Sequence, residues 1–250
     1  LKTTTKEEVI NGTRVQWVIP KETRGDEVIL FFFGGGFNLG CAEDDLFITA
    51  HIADMTHRRV CVPRYSLSPE KQFPTACNES MAVYRSLIKT QKVCVAGRSA
   101  GANLTLGLVV KAITKESLPP PNAIALLSPW IDLTHSGESH NTISDPTLTV
   151  EHILKPMSIT YMGKIAPENP DISPLFFDIP PNFPPTTIST GTRELLLSDS
   201  TRLAEKLKKK NIVVDLQITE GVWHAFEWFS EIPEALVSIK HISEFLSKYM

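Results

Sequence analysis

The 250-residue sequence lacks long apolar runs, an excess of charge of one sign and paired cysteine motifs. No stretch approaches the length of a transmembrane helix, and the first five residues do not form a signal peptide, so stable membrane insertion is not expected. The four cysteines contain no Cys-x-x-Cys pair, and Cys61 and Cys94 lie in strand-like apolar runs. Buried free thiols suit a reducing compartment, so the expected location is cytoplasmic.

Nucleic-acid binding is also not expected. The formal net charge is −3, and the one dense basic run, residues 206–210, closes a predicted helix where cations are favoured. The glycine cluster that begins at Gly34 does not fit Gly-x-Gly-x-x-Gly, because Leu39 stands where the third glycine belongs. No Gly-Lys-Ser or Gly-Lys-Thr follows, so neither a nucleotide cofactor nor a metal is expected.

One motif indicates a nucleophile. Residues 97–101 read Gly-Arg-Ser-Ala-Gly and stand between the apolar run 93–96 and the helical stretch 102–110. This order predicts a strand, a sharp turn that exposes the hydroxyl of Ser99, and a helix. The pattern alone also fits an ordinary strand-to-helix turn, so the argument needs a base and an acid downstream.

Suitable partners follow in the order acid, then base. Residues 186–191 form a β-branched strand pattern that ends just before Glu194, and the predicted strand 212–218 is followed by a loop that holds His224. Asp199, one helical turn beyond Glu194, is the second candidate for the acid. Among seven histidines, only His224 lies in the loop that follows the last predicted strand, because His241 belongs to the predicted C-terminal helix.

The alternation of strands and helices predicts one α/β domain over residues 1–250, with a mostly parallel sheet. The apolar run 28–33 is typical of a buried parallel strand, and three glycines follow it. Backbone N–H groups of this loop and of Ala100 are candidates for stabilising an oxyanion.

These motifs together resemble the hormone-sensitive lipase family of α/β-hydrolases. The similar segments are Phe-Gly-Gly-Gly-Phe at 33–37, Tyr-Ser-Leu-Ser-Pro-Glu at 65–70, the motif at 97–101, Ser-Pro-Trp-Ile-Asp-Leu at 128–133, Asp-Ile-Ser-Pro-Leu at 171–175 and Gly-Thr-Arg-Glu at 191–194. The resemblance implies an α/β-hydrolase fold with a central mostly parallel sheet, flanking helices and a small helical cap. It implies that Ser99 is the nucleophile, His224 the base and Glu194 its orienting acid, with Gly35, Gly36 and Ala100 as oxyanion donors.

Two residues depart from the family motifs. Phe33 replaces a histidine that usually holds the glycine loop, and Arg98 replaces an aspartate beside the nucleophile. The favoured interpretation of Arg98 is a side chain that points away and pairs with a surface carboxylate. The alternative is a cation that recognises acidic substrates.

The cap is expected in the insertion 134–172, which is rich in proline and has a helical pattern over 149–162. Family members usually carry a further N-terminal helical segment, whereas only residues 2–20 precede the strand at 28–33 here. If residue 1 is the native start of the chain, half of the cap is missing, and the pocket is expected to be more open than is usual in the family.

By resemblance, the substrate is expected to be a small or short-chain carboxylic ester, cleaved through an acyl-enzyme, with Phe37, Arg98 and Trp130 as substrate contacts. A lactone hydrolase, an amide or carbamate hydrolase and a weakly active ligand-binding protein are the alternatives. Family members often dimerise through an edge strand or the cap, so a homodimer is compatible with the resemblance.

Overall fold

Eight strands form one sheet at the centre of the molecule, in a computed structural model that describes residues 1–250. The strand order is β1-β2-β4-β3-β5-β6-β7-β8. The first two strands pair antiparallel to each other and β2 pairs antiparallel to β4, while all the other pairs are parallel. The strands are β1 Thr3–Ile10, β2 Thr13–Pro20, β3 Val28–Phe32, β4 Arg59–Pro63, β5 Val93–Arg98, β6 Ile124–Leu127, β7 Thr186–Gly191 and β8 Val214–Thr219.

Helices cover the sheet and bury its middle strands. The α-helices are α1 Leu46–Thr56, α2 Thr75–Leu87, α3 Ala100–Thr114, α4 Ser139–Thr142, α5 Lys155–Met162, α6 Leu197–Lys209 and α7 Pro233–Ser247. Strands β3, β5 and β6 are buried at every residue, which explains their continuous apolar sequences. None of the helices has both the length and the apolar character needed to cross a membrane. The mostly parallel sheet with flanking helices is the predicted architecture.

The N-terminal residues form a hairpin that extends the sheet. Strands β1 and β2 are joined at Asn11 and Gly12, which both have positive φ angles, 47° and 84°. Such angles belong to the tight turns whose twist matches that of paired strands. The segment that precedes the glycine loop is therefore part of the sheet and contributes no cap helix.

The insertion 134–172 lies over the glycine loop. The predicted helix over 149–162 is wound in two parts, a π-helical turn at Val150–Leu154 followed by α5. The Asn38 side chain donates to the carbonyl of Met157 at 3.1 Å, and the backbone N–H of Phe73 donates to the carbonyl of Tyr161 at 3.0 Å. These bonds attach α5 to the loops at the carboxyl ends of the strands.

Candidate active site

Ser99 occupies a strained turn between β5 and α3. Its backbone angles are φ 55° and ψ −117°, a combination that residues with a side chain rarely adopt. A methyl group at Gly97 would lie 2.3 Å from the carbonyl oxygen of Gly101, and one at Gly101 would lie 2.0 Å from the carbonyl oxygen of Phe32. Both flanking glycines are therefore required by the close approach of the helix to the sheet.

The structure brings Ser99, His224 and Glu194 together. Ser99 Oγ lies 3.0 Å from Nε2 of His224, and Nδ1 of the same ring lies 2.7 Å from Oε1 of Glu194. Glu194 follows β7 and His224 follows β8, so both loops lie at the carboxyl edge of the sheet, as Ser99 does. An ionised carboxylate only accepts hydrogen bonds, so Nδ1 carries the proton and Nε2 is left to accept from the serine hydroxyl.

The carboxylate of Glu194 is held by three further donors. Its Oε2 atom accepts hydrogen bonds from Ser128 Oγ at 3.0 Å, Thr190 Oγ1 at 2.8 Å and the backbone N–H of Gly191 at 3.1 Å. Ser128 Oγ also accepts from the backbone N–H of Ala225 at 2.9 Å. This bonding fixes the side chain of Glu194 and links it to the loop that carries His224.

Asp199, the second candidate for the acid, contacts a different histidine. Its Oδ2 atom accepts from the backbone N–H groups of Ile131 and Asp132, each at 2.9 Å, and its Oδ1 atom lies 3.3 Å from Nε2 of His140. Burial raises the pKa of Asp199 above its ordinary value. The geometry therefore favours Glu194 as the partner of His224.

The glycine loop presents free donors beside Ser99. Gly35 and Gly36 have φ angles of 123° and 62°, and neither backbone N–H has an acceptor within the protein. Met157 of α5 covers Gly36, because a methyl group there would lie 2.3 Å from its sulfur. Ala100 is fully buried and is the first residue of α3, where a helix cannot use the N–H group internally.

The motif departure at Phe33 is accommodated by Tyr65. The two rings stack with centroids 4.1 Å apart, and the Tyr65 hydroxyl donates to the carbonyl of Phe33 at 2.8 Å. The base of the glycine loop is thus held by an aromatic contact and a backbone hydrogen bond.

The departure at Arg98 is accommodated by Asp45. Arg98 Nε donates to Oδ1 of Asp45 at 2.7 Å, and Oδ2 of Asp45 accepts from the backbone N–H of Gly34 at 3.1 Å. Asp45 is fully buried, so the predicted partner on the surface is wrong and Arg98 instead forms a buried ion pair. The guanidinium also lies 5.4 Å from the ring centre of Trp228. Arg98 and Asp45 together connect the serine turn to the glycine loop.

A cavity of about 240 Å³ opens beside Ser99. Its lining combines the glycine loop, the serine turn, the histidine loop and the insertion: Gly35, Gly36, Arg98, Ser99, Trp130, Thr147, Leu148, Ile153, Leu154, Met157, His224, Ala225, Trp228 and Phe229. Arg98 and Trp130 thus lie where substrate contacts were predicted. Phe37 does not, because its ring is buried against Tyr161 at a centroid distance of 3.7 Å. No group of three or more His, Cys, Asp or Glu side chains is arranged to hold a metal ion.

Four supporting residues were not predicted from the sequence: Asp45, Tyr65, Ser128 and Asp145. Asp145 belongs to the insertion, yet its Oδ2 atom accepts from the backbone N–H groups of Leu195 at 3.2 Å and His224 at 3.3 Å. Tyr65 and Ser128 lie in segments that resemble family motifs, and this resemblance is the sequence signal that could have identified them. Nothing in the sequence distinguishes Asp45 or Asp145 from a solvated loop aspartate.

Comparison with known proteins agrees with the α/β-hydrolase fold. A family model described as alpha/beta hydrolase fold matches residues 29–228. An esterase of Acinetobacter venetianus is 32% identical over 91% of this chain and 77% of its own length. An acetyl-hydrolase of Streptomyces hygroscopicus is 28% identical over 92% of this chain and 78% of its own length.

Solved structures superpose over nearly the whole chain. The crystal structure of a hormone-sensitive lipase from a metagenome library is 32% identical, with a TM-score of 0.95 over 100% of this chain and 87% of that one. An esterase from the bacterial hormone-sensitive lipase family is 30% identical, with a TM-score of 0.95 over 99% of this chain and 85% of that one. The family model and the solved structures agree, and the chain belongs to the hormone-sensitive lipase family of α/β-hydrolases.

Proposed function

We propose that this carboxylic ester hydrolase is a serine carboxylesterase that cleaves small or short-chain esters with a Ser-His-Glu triad. The observation that carries the proposal is the continuous hydrogen-bond chain from Ser99 through His224 to Glu194. Unpaired N–H groups of Gly35 and Gly36 lie beside its nucleophilic end. This is the arrangement that acyl transfer requires.

In the proposed reaction, Ser99 Oγ attacks the ester carbonyl carbon while its proton moves to Nε2 of His224. Glu194 keeps the imidazole in the correct tautomer and stabilises the imidazolium. The bond from the carbonyl carbon to the alcohol oxygen then breaks, and the alcohol leaves with the proton held by His224. The same nitrogen then takes a proton from water, whose oxygen attacks the acyl-enzyme carbonyl carbon. The bond from that carbon to Ser99 Oγ breaks, the proton returns from His224 to Oγ, and the acid leaves.

Oxyanion stabilisation is proposed for the backbone N–H groups of Gly35, Gly36 and Ala100. Each tetrahedral intermediate carries negative charge on the former carbonyl oxygen, which these donors would bind. Removing one such donor in an enzyme of this kind costs about a hundredfold or more in turnover, so a rigid glycine loop matters. The hydrogen bond to Asp45 and the stacking on Tyr65 supply that rigidity.

The small substrate is supported by the size and the cover of the cavity. Its volume of about 240 Å³ lies below the roughly 300–1,000 Å³ typical of ligand pockets. Thr147, Leu148, Ile153, Leu154 and Met157 all come from the insertion 134–172, which we propose is the cap. A relative named acetyl-hydrolase also supports a short acyl group.

The charge of Arg98 is balanced by buried Asp45, which weakens the alternative of a site that selects acidic substrates.

The homodimer, the absence of nucleic-acid binding and the cytoplasmic location stay predictions. The open edge at β8, where Ile218 is 45% exposed, is compatible with pairing between two copies, and a molar-mass measurement in solution tests it.

Hydrolysis of p-nitrophenyl acetate, butyrate, octanoate and decanoate tests the proposal. We expect turnover that is fastest on the two short esters and that Ser99→Ala abolishes. Ser243→Ala, which truncates another buried serine in α7, is the matched control and is expected to retain turnover. An inactive parent protein would contradict the enzyme assignment, and faster turnover of decanoate than of butyrate would contradict the size argument. Lactones and anilides in the same panel distinguish ester hydrolysis from the alternatives of lactone and amide hydrolysis.

Leu148→Ala tests the role of the insertion. Leu148 is half-buried and lines the cavity from that segment, so its truncation should enlarge the cavity without unfolding the sheet. We expect the ratio of kcat/KM for octanoate to that for butyrate to rise several-fold, because one methylene in an apolar pocket is worth about 1 kcal/mol or more. An unchanged ratio would show that this segment does not limit acyl length.

A further inference from the structure

A second cavity of about 240 Å³ lies between α2 and α3 and shares no residue with the cavity beside Ser99. We call it the α2–α3 cavity. Five residues form its apolar walls: Phe73, Pro74, Leu104, Leu108 and Phe177. The thiol of Cys77 also faces this region and lies 3.4 Å from the hydroxyl of Tyr161.

One face of α3 forms the floor of this cavity. Gly107, Leu108 and Lys111 follow Leu104 by three, four and seven residues, so the four share that face, and Lys115 directly follows the last residue of the helix. A methyl group at Gly107 would meet no atom within 4 Å, and the residue has no positive φ angle that would require glycine. A glycine inside a helix is less favourable for stability than an alanine. The missing side chain at Gly107 leaves open space on the face of α3 that borders the cavity.

The cavity also carries one unbalanced positive charge. Lys115 Nζ bonds both carboxylate oxygens of Asp171, at 2.7 and 2.9 Å, so these two charges neutralise each other. Lys111 Nζ instead contacts only the side-chain amide oxygen of Asn78, at 3.3 Å, and takes part in no ion pair. A partly open cavity with an apolar side and one ammonium group outside any ion pair complements a molecule that has an alkyl chain and an anionic end.

We propose that the α2–α3 cavity binds a medium-chain carboxylate, with its alkyl chain between Leu108 and Phe177 and its carboxylate on Lys111. Burial of each methylene of the alkyl chain favours binding, and the ammonium group fixes the orientation of the chain. Binding there does not depend on the proposed hydrolysis at Ser99.

The location is tested by soaking crystals of the protein with 8-bromooctanoate and measuring the anomalous signal of bromine. We expect a bromine peak between α2 and α3. Bromine confined to the cavity beside Ser99, or no bromine peak at all, would overturn the proposal. This result is independent of ester hydrolysis, because it reports where the acid binds and not whether an ester is cleaved.

Calorimetry with octanoate and 1-octanol tests the chemistry of recognition. Lys111→Gln is expected to weaken octanoate binding at least tenfold and to leave octanol binding unchanged, because only the acid uses the ammonium group. Equal weakening for both ligands, or for neither, would reject the role of Lys111. Lys89→Gln, which removes an exposed ammonium group outside the cavity, is the charge-matched control and should bind octanoate as the parent protein does.

Filling the cavity supplies a second, uncharged variant. Methionine is a good helix former, so Gly107→Met should fold and place its side chain in the open space. We expect loss of the α2–α3 site, whereas Gly107→Ala, which adds only a methyl group, should retain it. Unchanged octanoate stoichiometry and affinity in Gly107→Met would place the bound acid elsewhere and overturn the proposal.

Discussion

The residues nearest to Ser99 show how two departures from the family motifs are accommodated together. A phenylalanine at 33 cannot donate a hydrogen bond, and an arginine at 98 brings a buried positive charge. Tyr65 stacks on Phe33. Asp45 pairs with Arg98 and accepts a hydrogen bond from the backbone of the glycine loop. Removing one partner of a buried ion pair typically costs about 3–5 kcal/mol, so Asp45 and Arg98 are coupled positions.

At the same scale, the assignment of the triad acid can be separated from its alternative by two substitutions of equal size. Glu194→Gln should lower kcat by several orders of magnitude, since a wrong histidine tautomer costs about ten-thousandfold in kcat in a serine protease triad. Asp199→Asn removes a carboxylate that contacts two backbone N–H groups and His140, none of which touches Ser99. It should therefore affect stability more than kcat.

Steady-state kinetics with p-nitrophenyl butyrate and urea denaturation of both variants provide the measurements. A larger loss of kcat in Asp199→Asn than in Glu194→Gln would reverse the assignment of the acid. Because both side chains are fully buried, a difference in exposure does not confound the comparison.

The sequence predicts elements well where burial is uniform. The apolar run 28–33 corresponds to β3 at Val28–Phe32, and the β-branched run 186–191 corresponds to β7 at Thr186–Gly191. Strand β1 has no such pattern, because its residues are mostly exposed and polar and its pairing with β2 arises from the turn at Asn11 and Gly12. The π-helical turn in the insertion likewise leaves no periodic signal.

The site follows the same rule. Ser99, Glu194 and His224 are predictable because each follows a strand in a fixed order along the chain. Asp45 and Asp145 are not, because an aspartate becomes a buried acceptor only when distant segments fold over it.

Helix α3 supplies a prediction at the scale of the element, because two of its glycines have opposite surroundings. Gly101→Ala places a methyl group 2.0 Å from the carbonyl oxygen of Phe32, which is backbone and cannot move aside, so we expect a loss of about 3 kcal/mol or more. Gly107→Ala meets nothing within 4 Å and should raise the free energy of unfolding by about 0.5–1 kcal/mol.

Thermal unfolding of the two variants checks this pair. A gain of 1 kcal/mol corresponds to about 2–4 °C in Tm for a domain of this size. Two losses of similar size would show that α3 tolerates no added volume at either position, contrary to the open space above Gly107.

At the scale of the whole molecule, stability depends on a half-buried histidine that is uncharged in the folded protein at neutral pH. His135 packs against Trp130 at a centroid distance of 6.0 Å, and His140, Asp132, Lys155 and Glu151 are the charged or titratable groups near it. Burial, together with the neighbouring His140, lowers the pKa of His135 to about 4. The insertion 134–172 therefore contains a histidine that resists protonation in the folded protein.

The sign of the effect follows from proton binding. Between about pH 6.5, the ordinary pKa of histidine, and pH 4, the unfolded chain binds more protons at this position than the folded chain does. The contribution of His135 to stability is therefore complete above pH 6.5 and is lost as the pH falls through that window. With allowance for screening by solvent, the loss amounts to about 2 kcal/mol.

His135→Phe keeps an aromatic ring against Trp130 and removes the titration. We expect the free energy of unfolding of the parent protein to fall by about 2 kcal/mol more than that of the variant between pH 7 and pH 4, because other titrating groups are common to both. Urea denaturation at half-unit pH intervals measures the difference. His152→Phe, which changes an exposed histidine in the same insertion, is the control and should follow the parent curve. Parallel curves for the parent and His135→Phe would show that His135 is protonated equally in the folded and unfolded chains.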